Sequence, residues 1–320
     1  MSGPARPDPL RGASCLVLGA GGFLGGHLCR ELLRRGASVH GFGRRRSYPE
    51  ALAGVRWTTG EFADRAVLAR AVDGAEHVFH LLGGTTPESS NKDPVADLAA
   101  GAVASLHLLD ICRAAGVRKV VFLSSGGTVY GIPASVPIRE DAPTDPISAY
   151  GVSKLAVEKY LHLYRHLHGL DYAVLRVANP FGPWQDPDRR QGVVTALMQA
   201  VLDGRPAEIW GDGRVVRDYL YAADVAEAVA EAAAYAGPHR VFNVGSGVGR
   251  SVLDLLRDIG TALGRGTALE AVHKPGRATD VPVNVLDTAL IRREMGWAPR
   301  TGWAEALEAT AAWLRARRAR

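Results

Sequence analysis

The first glycine run constrains this chain more than any other feature. The apolar stretch Leu16-Val17-Leu18 passes directly into Gly19-Ala20-Gly21-Gly22-Phe23-Leu24-Gly25, and amphipathic periodicity continues to about residue 35. Glycines placed so predict a strand-to-helix turn, not an arbitrary loop. Gly19 permits the tight turn, Gly22 lets the backbone approach a pyrophosphate, and Gly25 lets the helix lie close on the strand. Phe23 and Leu24 open that helix, whose free N–H groups and dipole favour an anion. A βα turn without a ligand would use similar glycines; the strand and helix that follow favour the dinucleotide-binding reading.

The alternation continues. Strands are expected over 15–18, 38–42, 78–82, 119–123 and 172–177, with helices over 23–35, 64–72, 95–115 and 149–167 between them. This is the pattern of an α/β chain with a doubly wound, parallel, Rossmann-type sheet. At 179–188 the run Asn179-Pro180-Phe181-Gly182-Pro183-Trp184, followed by Asp186-Pro187-Asp188, breaks the rhythm. A length of 320 residues suits about two domains. We therefore expect a nucleotide-binding domain over 12–178, its sheet completed by strands within 216–244, and a smaller, mainly substrate-binding domain over 179–320.

With 47% hydrophobic and 22% charged residues, a disordered, collagen-like or coiled-coil chain is excluded. The net charge of +5 is small, and its clusters, Arg44-Arg45-Arg46 and the C-terminal arginines, carry no interleaved aromatics, so no nucleic-acid partner is expected. Cys15, Cys29 and Cys112 form no C-x-x-C pair and sit in apolar periodic segments, which predicts buried free thiols and a reducing compartment. The polar start lacks a signal-peptide core, and no apolar run is expected to reach the roughly 18 residues of a membrane span, so we expect a cytoplasmic protein with no membrane partner. Glu158, His162 and His166 follow Lys154 at intervals of four, but successive steps drift around the helix and no H-E-x-x-H pattern exists, so no metal is expected.

Downstream stand Ser124-Ser125-Gly126-Gly127-Thr128-Val129-Tyr130-Gly131, Tyr150-Gly151-Val152-Ser153-Lys154, Asn179-Pro180-Phe181-Gly182-Pro183, Gly211-Asp212-Gly213 with Arg217-Asp218-Tyr219, and Gly276-Arg277-Ala278-Thr279-Asp280. With the G-x-x-G-x-x-G turn, and in this order over nearly the whole chain, these segments resemble the extended short-chain dehydrogenase/reductase family. The likeness is to its nucleotide-sugar branch of UDP-glucose 4-epimerase-like, NAD-dependent epimerase/dehydratases. The resemblance implies a nicotinamide cofactor held by Gly19, Gly22, Phe23, Leu24, Gly25, Leu82, Tyr150 and Lys154, with Glu61 and Phe62 flanking the adenine. It also implies a nucleotide-diphosphate sugar substrate met by Asn179, Arg217 and Arg277, and a homodimer built on helices 95–115 and 149–167. In NAD-using members an acidic residue ends the second strand. Here Gly43 and Arg44-Arg45-Arg46 stand there instead, and Arg44 and Arg45 suit the 2′-phosphate of NADP; a solvated basic loop is the other reading. The cofactor is thus NAD by resemblance and NADP by this loop.

Tyr150 and Lys154 are four apart and share a helix face. For a phenol that titrates near 10 to act as a base near neutrality costs roughly 4 kcal/mol. An ammonium about 5 Å away supplies on the order of 3 kcal/mol, and an oxidised nicotinamide adds a second positive charge. The hydroxyl that completes such sites in the family falls at Gly126, so Ser125 and Thr128 are the substitutes, Thr128 otherwise serving as a turn cap. Related dehydratases and decarboxylases place an acid in this segment; Gly127 and Thr128 cannot act as one, which disfavours elimination. The expectation is a nucleotide-sugar 4-epimerase, with an NADPH-dependent 4-ketoreductase as the alternative. A cofactor-sensing binding protein on the same fold is disfavoured by the intact Tyr150 and Lys154.

Overall fold

The computed structural model describes residues 8–83, 87–189, 192–266, 269–276 and 281–318. The glycine turn joins β1 (Ser14–Leu18) to α1 (Phe23–Arg34), followed by β2 (Ser38–Gly43), β3 (Arg56–Thr59), α2 (Arg65–Val72) and β4 (His77–His80). After α3 (Pro87–Ser90), α4 (Pro94–Leu98) and α5 (Ala104–Ala114) form one continuous helix interrupted by a π-turn over Ala99–Val103. Then come β5 (Lys119–Ser125), α6 (Ala149–His168) and β6 (Asp171–Val177).

The remaining elements are β7 (Asn179–Phe181), α7 (Val193–Leu202), β8 (Ala207–Trp210), β9 (Val216–Tyr221), α8 (Ala222–Ala234) and β10 (Val241–Val244). They are followed by β11 (Gly249–Ser251), α9 (Val252–Ala262), β12 (Ala271–Lys274), β13 (Val283–Asn284), α10 (Ala289–Met295) and α11 (Trp303–Arg318).

A seven-stranded sheet in the order β10-β6-β5-β4-β1-β2-β3 is parallel throughout. Its strands are nearly all apolar because both faces are covered. Leu28, Leu32, Val225 and Val229 of α1 and α8 pack with Val17, Phe79 and Leu175 on one face. Leu68, Leu108, Val157 and Leu161 of α2, α5 and α6 pack with Leu16, Val78 and Phe122 on the other. The order reverses between β4 and β1, and in such sheets the crevice at the carboxyl ends beside that reversal receives ligands. The chain beyond 178 gives β10 to this sheet. The rest of it builds a second core from Phe181, Leu197, Met198, Ile209, Leu255, Ile259 and Leu314, with β9 between β11 and β13 and also paired to β7.

The turn behaves as the glycine spacing predicts. Gly19 is left-handed at φ +88°, and a Cβ on Gly25 would lie 2.1 Å from the Gly19 carbonyl oxygen. Gly21 has its own reason: a Cβ there would lie 1.9 Å from the Arg45 carbonyl oxygen, so the loop after β2 rests directly on the turn. The three cysteines are buried free thiols, and burial pushes Cys15 and Cys29 up to about 12.

One expectation is corrected. The helix Pro94–Ala114 is a 21-residue element of mean hydropathy 1.6, long and apolar enough by composition to cross a membrane. Ala102, Leu108, Leu109 and Cys112 on it are buried in the α2, α5 and α6 core layer. Val95, Leu98 and Val103 are exposed.

Candidate active site

Side chains anchor the start of α6 unusually fully. Ser148 accepts from the Gly151 N–H at 3.2 Å, Asn91 Oδ1 from Ala149 at 2.8 Å, and Ser90 Oγ from Tyr150 at 3.0 Å. The first N–H groups of a helix have no partner within it, so this satisfies them and fixes the turn that carries Tyr150. One turn on, Ser153 donates to the buried Asp97 at 2.6 Å, tying α6 to α4.

Lys154 is buried, and its Nζ donates to the Leu123 carbonyl at 2.8 Å and lies 3.5 Å from that of Leu82, spanning the ends of β5 and β4. It stands 4.6 Å from the centre of the Phe122 ring and 5.7 Å from that of Tyr150. Burial pushes its ammonium down to about 8, against the pull of Glu158 and Asp97. Burial, with the nearby Asp97 charge, pushes the Tyr150 phenol up to about 12. In the free protein the phenol is therefore held protonated, desolvation being the larger cause.

Beneath them His80 is neutral, pushed down to about 3 by burial and by Lys154. Ser105 donates to the Gly101 carbonyl at 2.6 Å and so accepts from His80 Nε2 at 2.8 Å. The Gly101 carbonyl belongs to the π-turn, a local irregularity often found at functional sites.

Ser125 and Thr128 line the same cleft of about 1300 Å³ as Tyr150 and Lys154. The Thr128 hydroxyl is buried and has no hydrogen-bond partner among the described residues. It does not cap the turn. Gly126 is explained by packing: a Cβ there would lie 2.5 Å from Leu286 Cδ1 and 3.0 Å from the Arg176 carbonyl oxygen. Gly151 permits a second close approach, its Cβ position lying 3.0 Å from the Thr128 carbonyl oxygen. Behind the loop, Ser124 donates to Glu158, which pairs with buried Arg176 at 2.7 Å; Arg176 in turn donates to Tyr130 at 2.9 Å.

Gly19, Gly22, Phe23, Leu24 and Gly25 line the near side of the cleft. Gly22 caps α1 without a side-chain bond, and the first turn carries no acid, so this helix start fits the pyrophosphate of a dinucleotide. Leu82 touches Gly19, with Cδ2 3.1 Å from where a Cβ would stand. Arg44, Arg45 and Glu61 are exposed, and none of them lines the cleft. Phe62 instead stacks on His80, with ring centres 5.1 Å apart.

At the far end, Asn179 donates to the Asp218 carbonyl at 3.0 Å, and Arg217 donates to the carbonyls of Val216 and Val281; both Asn179 and Arg217 line the cleft. Arg277 lies outside the described residues. Sequence reasoning missed Asp97, His80, Trp184 and Arg317. Trp184 lines the cleft at φ +67° against His27, and Arg317 reaches it from α11 while paired with Asp186 at 3.1 Å and Asp188 at 2.7 Å. An aspartate within the first turns of the apolar run 94–114, which also holds Asp110, was the available signal for Asp97.

Residues 15–245 match the NAD dependent epimerase/dehydratase family. The chain is 37% identical over 311 residues to a UDP-glucose 4-epimerase of Mycolicibacterium smegmatis, covering 94% of this chain and 98% of that one. A crystal structure of UDP-glucose 4-epimerase with UDP-glucose from Thermotoga maritima superposes with a TM-score of 0.90 at 34% identity, covering 95% and 99% of the two chains. The Thermus thermophilus UDP-glucose 4-epimerase in complex with NAD gives 0.86 at 34% identity, covering 94% and 99%.

In cofactor-free protein the Tyr150 phenol should stay protonated to about pH 12. An ultraviolet difference titration against Tyr150→Phe should show no tyrosinate from this residue at neutral pH, and its appearance at lower pH once oxidised cofactor is added.

Proposed function

The chain belongs to the NAD dependent epimerase/dehydratase family, and from that premise we propose that it inverts C4 of a nucleotide sugar, with UDP-glucose and its C4 epimer as the substrate pair. The observation that carries this reading is Tyr150 and Lys154 side by side between an uncapped glycine-rich helix start and a cleft that ends at Asn179 and Arg217. A nicotinamide bound there supplies a reversible two-electron acceptor for the sugar's C4 carbon. Tyr150 takes the proton of the C4 hydroxyl and returns it after the sugar has turned over. Its phenol, held up by burial in the free protein, is brought down by the added positive charge of the oxidised cofactor together with Lys154. Lys154, fixed on the Leu123 carbonyl beside the phenol, would hold the cofactor's ribose. Thr128 offers the reacting oxygen a hydroxyl with no competing partner, and Ser125 lies beside it in the cleft. Asn179 and Arg217 hold the diphosphate, and Arg277 is assigned to it by the family resemblance alone.

NAD is the cofactor in the Thermus thermophilus structure. For this chain, NADP is the finer reading supported by Arg44 and Arg45, exposed just after β2, where charge-assisted bonds to a 2′-phosphate can form. The glycine at 126, where the family's hydroxyl would fall, is accounted for by the packing of Leu286 without any change of chemistry, which leaves the ketoreductase alternative resting on Arg44 and Arg45. The buried thiols suit the reducing cytoplasm. A homodimer is supported by exposed apolar side chains at helical spacing on neighbouring helices, Val95, Leu98 and Val103 beside Val152, Tyr160, Leu163 and Leu167.

Given UDP-glucose and only catalytic cofactor, the protein should form the C4 epimer with no net change in nicotinamide absorbance. Tyr150→Phe should lower turnover by about 100-fold or more while retaining cofactor. Stoichiometric NADPH consumption on a 4-keto sugar nucleotide, with no UDP-hexose converted, would instead identify a reductase. Replacing Arg44 and Arg45 with alanine should weaken NADPH far more than NADH; equal weakening would leave the loop merely solvated. Sedimentation should give a dimer, and a concentration-independent monomer would contradict that assembly.

A further inference from the structure

The loop that carries Thr128 contains Gly126-Gly127, a pair with no side chains of its own to hold it in place. Its anchor comes from more than 150 positions away in the chain. Asn284, fully buried in β13, donates from Nδ2 to the Gly126 carbonyl at 3.0 Å. Its Oδ1 is buried and accepts nothing among the described residues, so its side chain's one hydrogen bond there is to this carbonyl. Two positions on, fully buried Leu286 occupies the space a side chain at 126 would need. The Gly126 N–H is taken by the Val177 carbonyl at 2.9 Å, and Gly151 receives the Thr128 carbonyl. Asn284 also pairs in register with Arg217, whose guanidinium is held by the Val281 carbonyl of the same segment.

We propose that Asn284 is a positioning residue of the reaction: its side-chain amide, reaching in from the C-terminal segment, fixes residues 125–128 and so sets where Thr128 stands in the cleft that Tyr150 also lines. Asn284 does not itself face the reacting atoms, because neither it nor Leu286 lines the cleft. It takes over, from outside the loop, the orienting that a side chain at 126 would otherwise provide. The inference rests on the epimerase reading above.

The test compares wild type, Asn284→Leu, Thr128→Val and the double variant, all counted per cofactor-loaded protein. Asn284→Leu keeps the volume and removes the donor; Asn284→Ser, whose hydroxyl cannot span the distance, serves if the leucine variant does not fold. We expect kcat to fall about tenfold or more with KM for UDP-glucose nearly unchanged, since misplacement of a reacting group lowers the rate without weakening remote binding. In the Thr128→Val background the second change should add almost nothing. Amide hydrogen exchange at 126–129 should accelerate in Asn284→Leu while the rest of β5 and α6 is unaltered. Additive losses, an unchanged kcat, or unchanged exchange at 126–129 would each overturn the proposal. If wild type converts no UDP-hexose, the epimerase reading fails on its own, and the exchange measurement still decides whether Asn284 holds the loop.

Discussion

The buried ammonium of Lys154 is the constraint around which the site is arranged. A charge withdrawn from water is tolerated only when hydrogen bonds and opposite charges offset its desolvation. Here the Leu123 carbonyl at 2.8 Å accepts from it, the Phe122 ring lies beneath it, and Glu158 and Asp97 act on it from α6 and α4. These are not enough to keep it at its solution value, and it falls to about 8. Burial, with a smaller push from the same cation, keeps His80 neutral, which sets the hydrogen bond through Ser105 to the π-turn of the neighbouring helix. An enclosed cation beside a protonated phenol is a site prepared for a second charge, which the oxidised cofactor carries.

What stands beside this pair fits the proposed inversion and not elimination. No acid occupies 127 or 128, and the buried Thr128 hydroxyl has no hydrogen-bond partner among the described residues. An unpaired buried hydroxyl costs stability, and a substrate oxygen hydrogen-bonded there removes that cost. The loop holding it is shaped by glycines at contact points, Gly126 under Leu286 and Gly151 under the Thr128 carbonyl.

Much of this was legible in the sequence where the signal is local. The elements Ser14–Leu18, Ala149–His168 and Asp171–Val177 fall where periodicity predicts them to within a residue, because apolar spacing and flanking breakers fix such segments directly. Tyr150 and Lys154 were readable because a helix places residues four apart on one face. The π-turn, the Asp97–Ser153 tie and the Leu286 contact that explains Gly126 were not, since each depends on which distant segment arrives in space. The phenol's burial was not legible for the same reason: the cation was visible in the sequence, but the desolvation that pushes Tyr150 up in the free protein was not. The long apolar helix shows the limit of composition. Its run would suit a membrane, and only its packing against α2 and α6 shows which side chains are core.

The most direct test of the account follows the hydrogen at C4. With UDP-glucose carrying deuterium at C4, in ordinary water, the product C4 epimer should keep its label quantitatively, because on this account the hydrogen is transferred and returned as hydride, which does not exchange with solvent. Replacement of the label by solvent hydrogen would mean inversion through proton loss from carbon, and would contradict the roles given to Tyr150 and Lys154.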